Sequence, residues 1–199
     1  DKDITRKYTD LIISGNTLYS LPYGETAGLT HVVEFDTDTE EFSLHPLKVP
    51  DFAKKYNNMV LVDYFIIGLP YGDEHVEDSN WGIVYNTITK DSKAFDIGLT
   101  FGGKYRYRCG INYFNRAVFF PGGSPQCPII AVNTKGEIVY RQHFPELMFG
   151  RPIIYNHLLH VISYNIETEK QCLHTFDSEF NEKVIELWKN TNIFMTITL

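Results

Sequence analysis

The residues best suited to chemistry or recognition lie in a few short stretches. In KYRYR (104–108), an extended backbone sends Lys104, Arg106 and Arg108 to one side. Tyr105 and Tyr107 point to the other. Such a row of cations suits an anionic group, and Arg151 stands at a comparable point further along the chain. Tyr23 and Tyr71 each sit in an LPYG sequence. Tyrosine offers rigid, amphipathic area for stacking on a sugar or anchoring a protein partner. The stretch DEHVEDSNW (73–81) gathers Asp73, Glu74, His75, Glu77 and Asp78 ahead of Trp81. These side chains can face a cation or a basic partner, although the calcium-loop pattern is absent. Each feature has a plainer counterpart. The aromatics can be packing residues, the cations can pair with nearby acids, and the acidic loop can be solvated.

Signatures of catalysis are missing. The chain holds no G-x-S-x-G, H-E-x-x-H, G-x-G-x-x-G or phosphate-loop sequence. His157 and His160 are three residues apart, which on a strand sends them to opposite faces and excludes a shared metal. Cys109, Cys127 and Cys172 show no metal spacing and no disulfide framework, so free thiols are expected. No cofactor and no metal are expected.

Composition bounds the answer. The 199 residues are 43% hydrophobic and 15% aromatic, enough to form one packed domain over 1–199. A net charge of −7 opposes non-specific nucleic-acid binding. No apolar run reaches the ~18 residues of a membrane helix. No N-x-Ser/Thr sequon occurs. With unpaired thiols, this points toward a cytoplasmic setting, a bacterial or viral extracellular one being the alternative. The chain begins at Asp1, which leaves open a removed leader or a piece of a longer protein.

The elements that position these residues repeat. Gly24, Gly72, Gly123 and Asn165 recur in register, as do Asp36, Asn86, Asn133 and Asp177, at spacings of 42 to 51 residues. Each unit reads as four strands, an all-β pattern with the spacing of propeller blades. An apolar first strand (10–14, 59–62, 109–114, 152–155) meets a tight turn at Gly15-Asn16, Asp63, Asn115 or Asn156, residues that tolerate positive φ. The second strand ends in PYG, PYG, PGG or SYN. The third runs into the repeated Asp or Asn, whose side chain can cap the next turn. The fourth alternates in polarity, and NEKVIELWKN (181–190) falls in that place, so it reads as strand. The expected blades are 10–49, 59–99, 108–144 and 151–188, with 192–199 as an extra strand. A four-bladed ring is the first reading. An incomplete or larger ring is the second, and it would leave strand edges open to self-association.

AVFFPGG followed by a strand resembles the kelch repeat, and VVEFDTDTEEFSLHPL looks like the second half of one. F-box-associated kelch-like repeats read similarly. The resemblance implies a β-propeller of four-stranded antiparallel blades and transfers no functional residue.

In such a blade the first and third turns share one side of the disc. The longer loops (24–30, 72–80, 123–127, 165–172) share the other, together with the channel mouth. Variable loops on a rigid scaffold are where binding residues gather. The favoured reading is therefore a non-catalytic module that binds a protein partner on the long-loop face. Its contacts would be Tyr23, Tyr71, Trp81, Tyr105, Arg106, Arg108 and Arg151. A carbohydrate-binding propeller with repeated tyrosine platforms is the alternative, and a propeller hydrolase acting on a glycan or small ester is a further one.

Overall fold

The computed structural model describes residues 8, 10–23, 30–49, 56–70, 80–98, 107–122 and 127–189. Blade one contains β1 (Ile12–Ser14), β2 (Thr17–Ser20), β3 (His31–Asp36) and β4 (Phe42–Pro46). Blade two contains β5 (Tyr56–Val62), β6 (Phe65–Pro70), β7 (Trp81–Asn86) and β8 (Ser92–Asp96). Blade three contains β9 (Tyr107–Tyr113), β10 (Arg116–Pro121), β11 (Ile129–Val132) and β12 (Ile138–Gln142). Blade four contains β13 (Leu147–Phe149), β14 (Ile153–Tyr155), β15 (Leu158–Asn165), β16 (Lys170–Phe176) and β17 (Glu182–Lys189). Every pairing within a blade is antiparallel, and apart from β13, which joins β14 on β15, neighbours follow chain order, the pattern of β-propeller blades. Residues 182–189 form the outer strand of blade four, as their place in the repeat required.

Two first strands differ most from expectation. β5 begins at Tyr56, three residues earlier than the apolar run suggests. The first strand of blade four comes in two pieces, with β13 on the far half of β15 and β14 on the near half. Pro152 explains the break, because it brings no N–H to the ladder. Gly150 N–H still donates to Ile162 O at 2.9 Å, which carries the strand across the interruption.

The turns follow side-chain chemistry. Phe114, Asn115, Asn156 and His157 all take positive φ, between 47° and 61°. Two consecutive left-handed residues are the geometry that matches the twist of paired strands. Asparagine tolerates it at low cost, whereas Phe114 and His157 adopt it under the constraint of the hairpin. At the third turn, one carboxylate or amide oxygen accepts two backbone N–H groups in each blade. Asp36 accepts from Asp38 and Thr39, and Asn86 from Ile88 and Thr89. Asn133 accepts from Lys135 and Glu137, and Asp177 from Glu179 and Asn181. The 165–172 connection, expected as a long loop, is a short turn of the same kind. Asn165 accepts from Glu167 and Thr168, so Cys172 stands inside β16.

Three apolar cores fill the seams between successive blades. Tyr19, Val32, Ile66, Ile83 and Tyr85 pack blade one on blade two. Ile67, Leu69, Phe119, Ile130 and Val132 pack blade two on blade three. Val118, Phe120, Leu159, Val161 and Phe176 pack blade three on blade four. Strands β6, β7, β10 and β11 are consequently buried on both faces, and their sequences are almost wholly apolar. The innermost strands β5 and β9 lie against each other. A Cβ at position 110 would sit 2.6 Å from Val60 Cγ2 and 2.8 Å from Phe119 Cδ1, so only glycine permits this approach.

The close approach at position 110 sets a stability test. Gly110→Val should lower unfolding stability by about 1–3 kcal/mol, the usual cost of overpacking, measured by urea denaturation. The turn carboxylates set a pH test. The Asp36 and Asp177 carboxyls are held below their ordinary value of 3.8. The Thr39 and Asp38 amides do this for Asp36, and the Asn181 side chain and amide for Asp177. A lowered carboxyl stabilises the fold above its ordinary pKa and loses that contribution as pH falls through the lowered value. Asp36→Asn with Asp177→Asn keeps the turn, as Asn86 and Asn133 show. The variant should therefore flatten the fall in Tm below about pH 4 relative to wild type.

Candidate functional site

Across the seam between blades two and three, the first strands present a small set of polar groups on a fixed frame. Asn58 Nδ2 donates to Arg108 O at 3.0 Å, and Asn112 Nδ2 donates to Leu61 O at 3.0 Å. These two bonds lock β9 to β5 across the seam. Beside them Asp10, Leu21, Tyr56, Asn58 and Met59 line a crevice too narrow to admit a water molecule. Arg108 is exposed, and its aliphatic stem lies over Gly122, where an added Cβ would collide with Arg108 Cβ. Arg151 is also exposed and stands at the break between β13 and β14. Cys109 Sγ contacts Gly150 O at 3.3 Å. Burial pushes its thiol up to about 11, and the positive charges of Arg151 and Arg108 oppose that rise. Two cations from different blades thus act on one thiol. No disulfide joins Cys109, Cys127 and Cys172.

The other sequence-predicted residues distribute unevenly. Tyr23 is buried, 6% exposed, which matches a packing residue and removes it as an exposed stacking platform. Trp81 opens β7 and is half-buried against the core between blades one and two. Tyr71, Tyr105 and Arg106 lie outside the described residues, as do 73–79 and 192–199. His157 and His160 do not converge. His157 is in the turn, while His160 Nδ1 meets the Thr175 hydroxyl at 3.1 Å. Among the described residues, no three His, Cys, Asp or Glu side chains stand together as metal ligands.

One polar constellation escaped sequence reasoning. Ser163 on β15, His174 on β16 and Glu182 on β17 form a chain of hydrogen bonds across three strands. Ser163 Oγ lies 2.7 Å from His174 Nε2, and His174 Nδ1 lies 2.5 Å from Glu182 Oε1. With Nδ1–H donating to the carboxylate, Nε2 of the neutral ring accepts from the Ser163 hydroxyl. This is the connectivity of a nucleophile, a base and an orienting acid. Its surroundings decide otherwise. Ser163 is 1% exposed and faces Phe149, while the rings of Phe144, Phe149 and Phe176 enclose His174. No substrate carbonyl can reach the hydroxyl, so the chain of bonds ties blade four together. The three residues are 11 and 8 apart on successive strands, a register that emerges only once the strands are paired.

Comparisons with known proteins agree on the fold. No protein-family profile matches the chain, and no curated protein matches it in sequence. Among solved structures, the WD40 repeats of RRP9 align with a TM-score of 0.59 at 9% identity, over 92% of this chain and 52% of that one. U3-55K aligns with a TM-score of 0.56 at 10% identity, over 88% and 55%. A quinonprotein alcohol dehydrogenase-like protein from Bacteroides thetaiotaomicron aligns with a TM-score of 0.56 at 9% identity, over 88% and 45%. The fold is that of a β-propeller. The chain spans about half the length of these solved structures.

The enclosed relay gives a direct test. A fluorophosphonate probe should leave Ser163 unmodified in the native protein, read by mass spectrometry. Ser163→Ala should lower stability by about 1–3 kcal/mol, because the buried His174 Nε2 loses its partner. Labelling of Ser163 would instead establish an open nucleophile.

Proposed function

We propose that this β-propeller, whose repeat stands nearest the kelch pattern, is a non-catalytic module that takes an acidic segment of a protein partner at its long-loop face. The observation that supports this most is the pair Arg108 and Arg151, both exposed, each next in sequence to one end of the Cys109–Gly150 contact that joins blades three and four. Guanidinium groups hold carboxylates through paired, planar hydrogen bonds and stay charged at any working pH. Their backbones are fixed, Arg108 by Asn58 and the strand around Arg151 by Gly150. Little ordering is then left to oppose binding. The solved structures of like fold include both WD40 repeats and an alcohol dehydrogenase-like protein, so the fold alone does not choose between binding and chemistry. The residues favour binding, since the Ser163–His174 pair is sealed. The carbohydrate reading is weaker, because Tyr23 is buried.

The test uses a fluorescent glutamate-rich decapeptide, with a lysine-rich one beside it, in fluorescence anisotropy at low and moderate salt. The acidic peptide should bind, and salt should weaken it. Arg108→Glu with Arg151→Glu should reduce that affinity by about tenfold or more while leaving Tm near wild type, as both side chains are exposed. Equal binding by the variant would place any partner elsewhere.

A further inference from the structure

Four blades packed into a closed ring would make four seams. Among the described residues, no core or extended strand packing joins blade four to blade one. Each end blade therefore keeps one uncovered face, and the register shows what kind of face it is. Leu18 holds the place that Ile66, Ala117 and Leu159 hold in the other blades, the second residue of the second strand. Those three point at the preceding blade and are fully buried. Among the described residues, no apolar core forms on this side of blade one. Strand pairing puts Ile13, Leu18, Phe35 and Phe42 in one row and Val33 with Leu44 in the next, all on that side. Phe42 is 72% exposed, Ile13 62% and Leu44 61%.

Blade four shows the reciprocal face. His160 and Ile162 hold the places of Ile67 and Leu69 in blade two and of Val118 and Phe120 in blade three. Those four side chains point at the following blade and are fully buried. Among the described residues, no apolar core forms on this side of blade four. Ile153 and Tyr155 from β14, Leu173 from β16 and Ile185 from β17 share that side. Ile153, Tyr155 and Ile185 are 49%, 65% and 44% exposed. The face of blade one is apolar across four strands, and on blade four the apolar residues share the face with His160, Thr175 and Lys183; exposed apolar surface of this extent marks an interface. One end is built as a leading face and the other as a trailing face, so each fits the other and neither fits itself.

We propose that these two faces are covered by a second copy of this chain, blade four of each copy packing on blade one of the other to close an eight-bladed ring. The contact is sheet on sheet, as at the existing seams, and needs no strand-edge pairing. The register supports this, since each uncovered face repeats the positions that fill the existing seams. The area agrees too. A patch of four strands about 4.8 Å apart and about five residues long covers roughly 320 Å². Two seams contribute four such faces, about 1,300 Å² in all, within the range of stable specific interfaces. A two-fold axis makes both seams identical, so the assembly closes at two copies instead of growing.

Sedimentation velocity of the 199-residue chain tests this directly. The expected particle has twice the 23.0 kDa mass of the chain. Leu44→Lys and Ile185→Asp each place a charge in both seams of a homodimer, and each alone should sediment as a monomer with wild-type circular dichroism. Dimerisation should weaken by about 100-fold or more in each. Mixed in equal amounts, the two variants should form a heterodimer. One of its seams is then wild type, and the other sets the introduced lysine of one copy against the introduced aspartate of the other. A wild-type chain that stays monomeric at about 100 µM, where an interface of this size should be filled, would overturn the proposal. It would leave the faces to other blades of a longer chain. Dimers that survive both substitutions, or that mixing fails to restore, would also overturn it, as would larger assemblies.

Discussion

Face-to-face burial of one sheet on the next is the constraint on which everything else in this protein depends. A lone four-stranded sheet of this length cannot hide two apolar faces. Packed in series, each sheet supplies one wall of two cores. The effect is visible residue by residue. Phe119 and Phe120 are adjacent on β10 and point in opposite directions, yet both are fully buried, one in each neighbouring seam. Alternation of burial along a strand therefore survives only where one face is covered, as on β3, β12 and β15.

Polar groups then lock the angle and register of each seam. Between blades one and two, the buried carboxylate of Glu34 accepts from Tyr85 Oη at 2.5 Å and from Lys90 Nζ at 2.7 Å, while Lys90 also lies 5.4 Å over the Tyr19 ring. A charge so enclosed is tolerable only because it is paired and hydrogen-bonded at once. Between blades three and four, Tyr113 Oη donates toward the carbonyls of His157 and Phe176 at 2.8 and 3.1 Å. Arg116 reaches Ser178 O at 3.0 Å and covers the Phe180 ring. Between blades two and three, Lys93 reaches Lys135 O at 3.1 Å. Each of these bonds runs from one blade to the next in sequence, so the apolar cores set how close two sheets come and the polar pairs set how they are aligned.

Much of this was legible in the sequence because turns are local. Asp36, Asn86, Asn133 and Asp177 recur because each must accept two amides within four residues of itself, and that requirement leaves a mark at a near-regular spacing. The strand assigned to 182–189 was legible from its place in the repeat, although its residues also suit a helix. What stayed hidden depends on partners distant in sequence. Tyr23 read as an exposed anchor because nothing near it in the chain announces that the fold covers it. The Ser163–His174–Glu182 relay carries no motif, since its spacing is set by strand register alone. The two pieces of the first strand in blade four were legible in principle at Pro152, a residue that cannot serve a ladder. The cations Arg108 and Arg151 were readable as charges, but their convergence on Cys109 belongs to the fold.

The same arrangement separates stability from recognition. The seams hold nearly all of the large buried side chains, whereas Arg108 and Arg151 are exposed on backbone that the seams have already fixed. Arg108 illustrates the division. Its carbonyl is bound by Asn58, its stem is pressed on Gly122, and the residue is exposed. Changing that guanidinium should alter what the face attracts without disturbing how the blades pack, whereas a bulkier residue at Gly122 would displace the stem and move the charge. Specificity at this face is thus adjustable by terminal groups on a scaffold whose geometry is set elsewhere. The Ser163–His174–Glu182 relay ties blade four together, while Arg108 and Arg151 stay exposed on backbone that the seams hold in place.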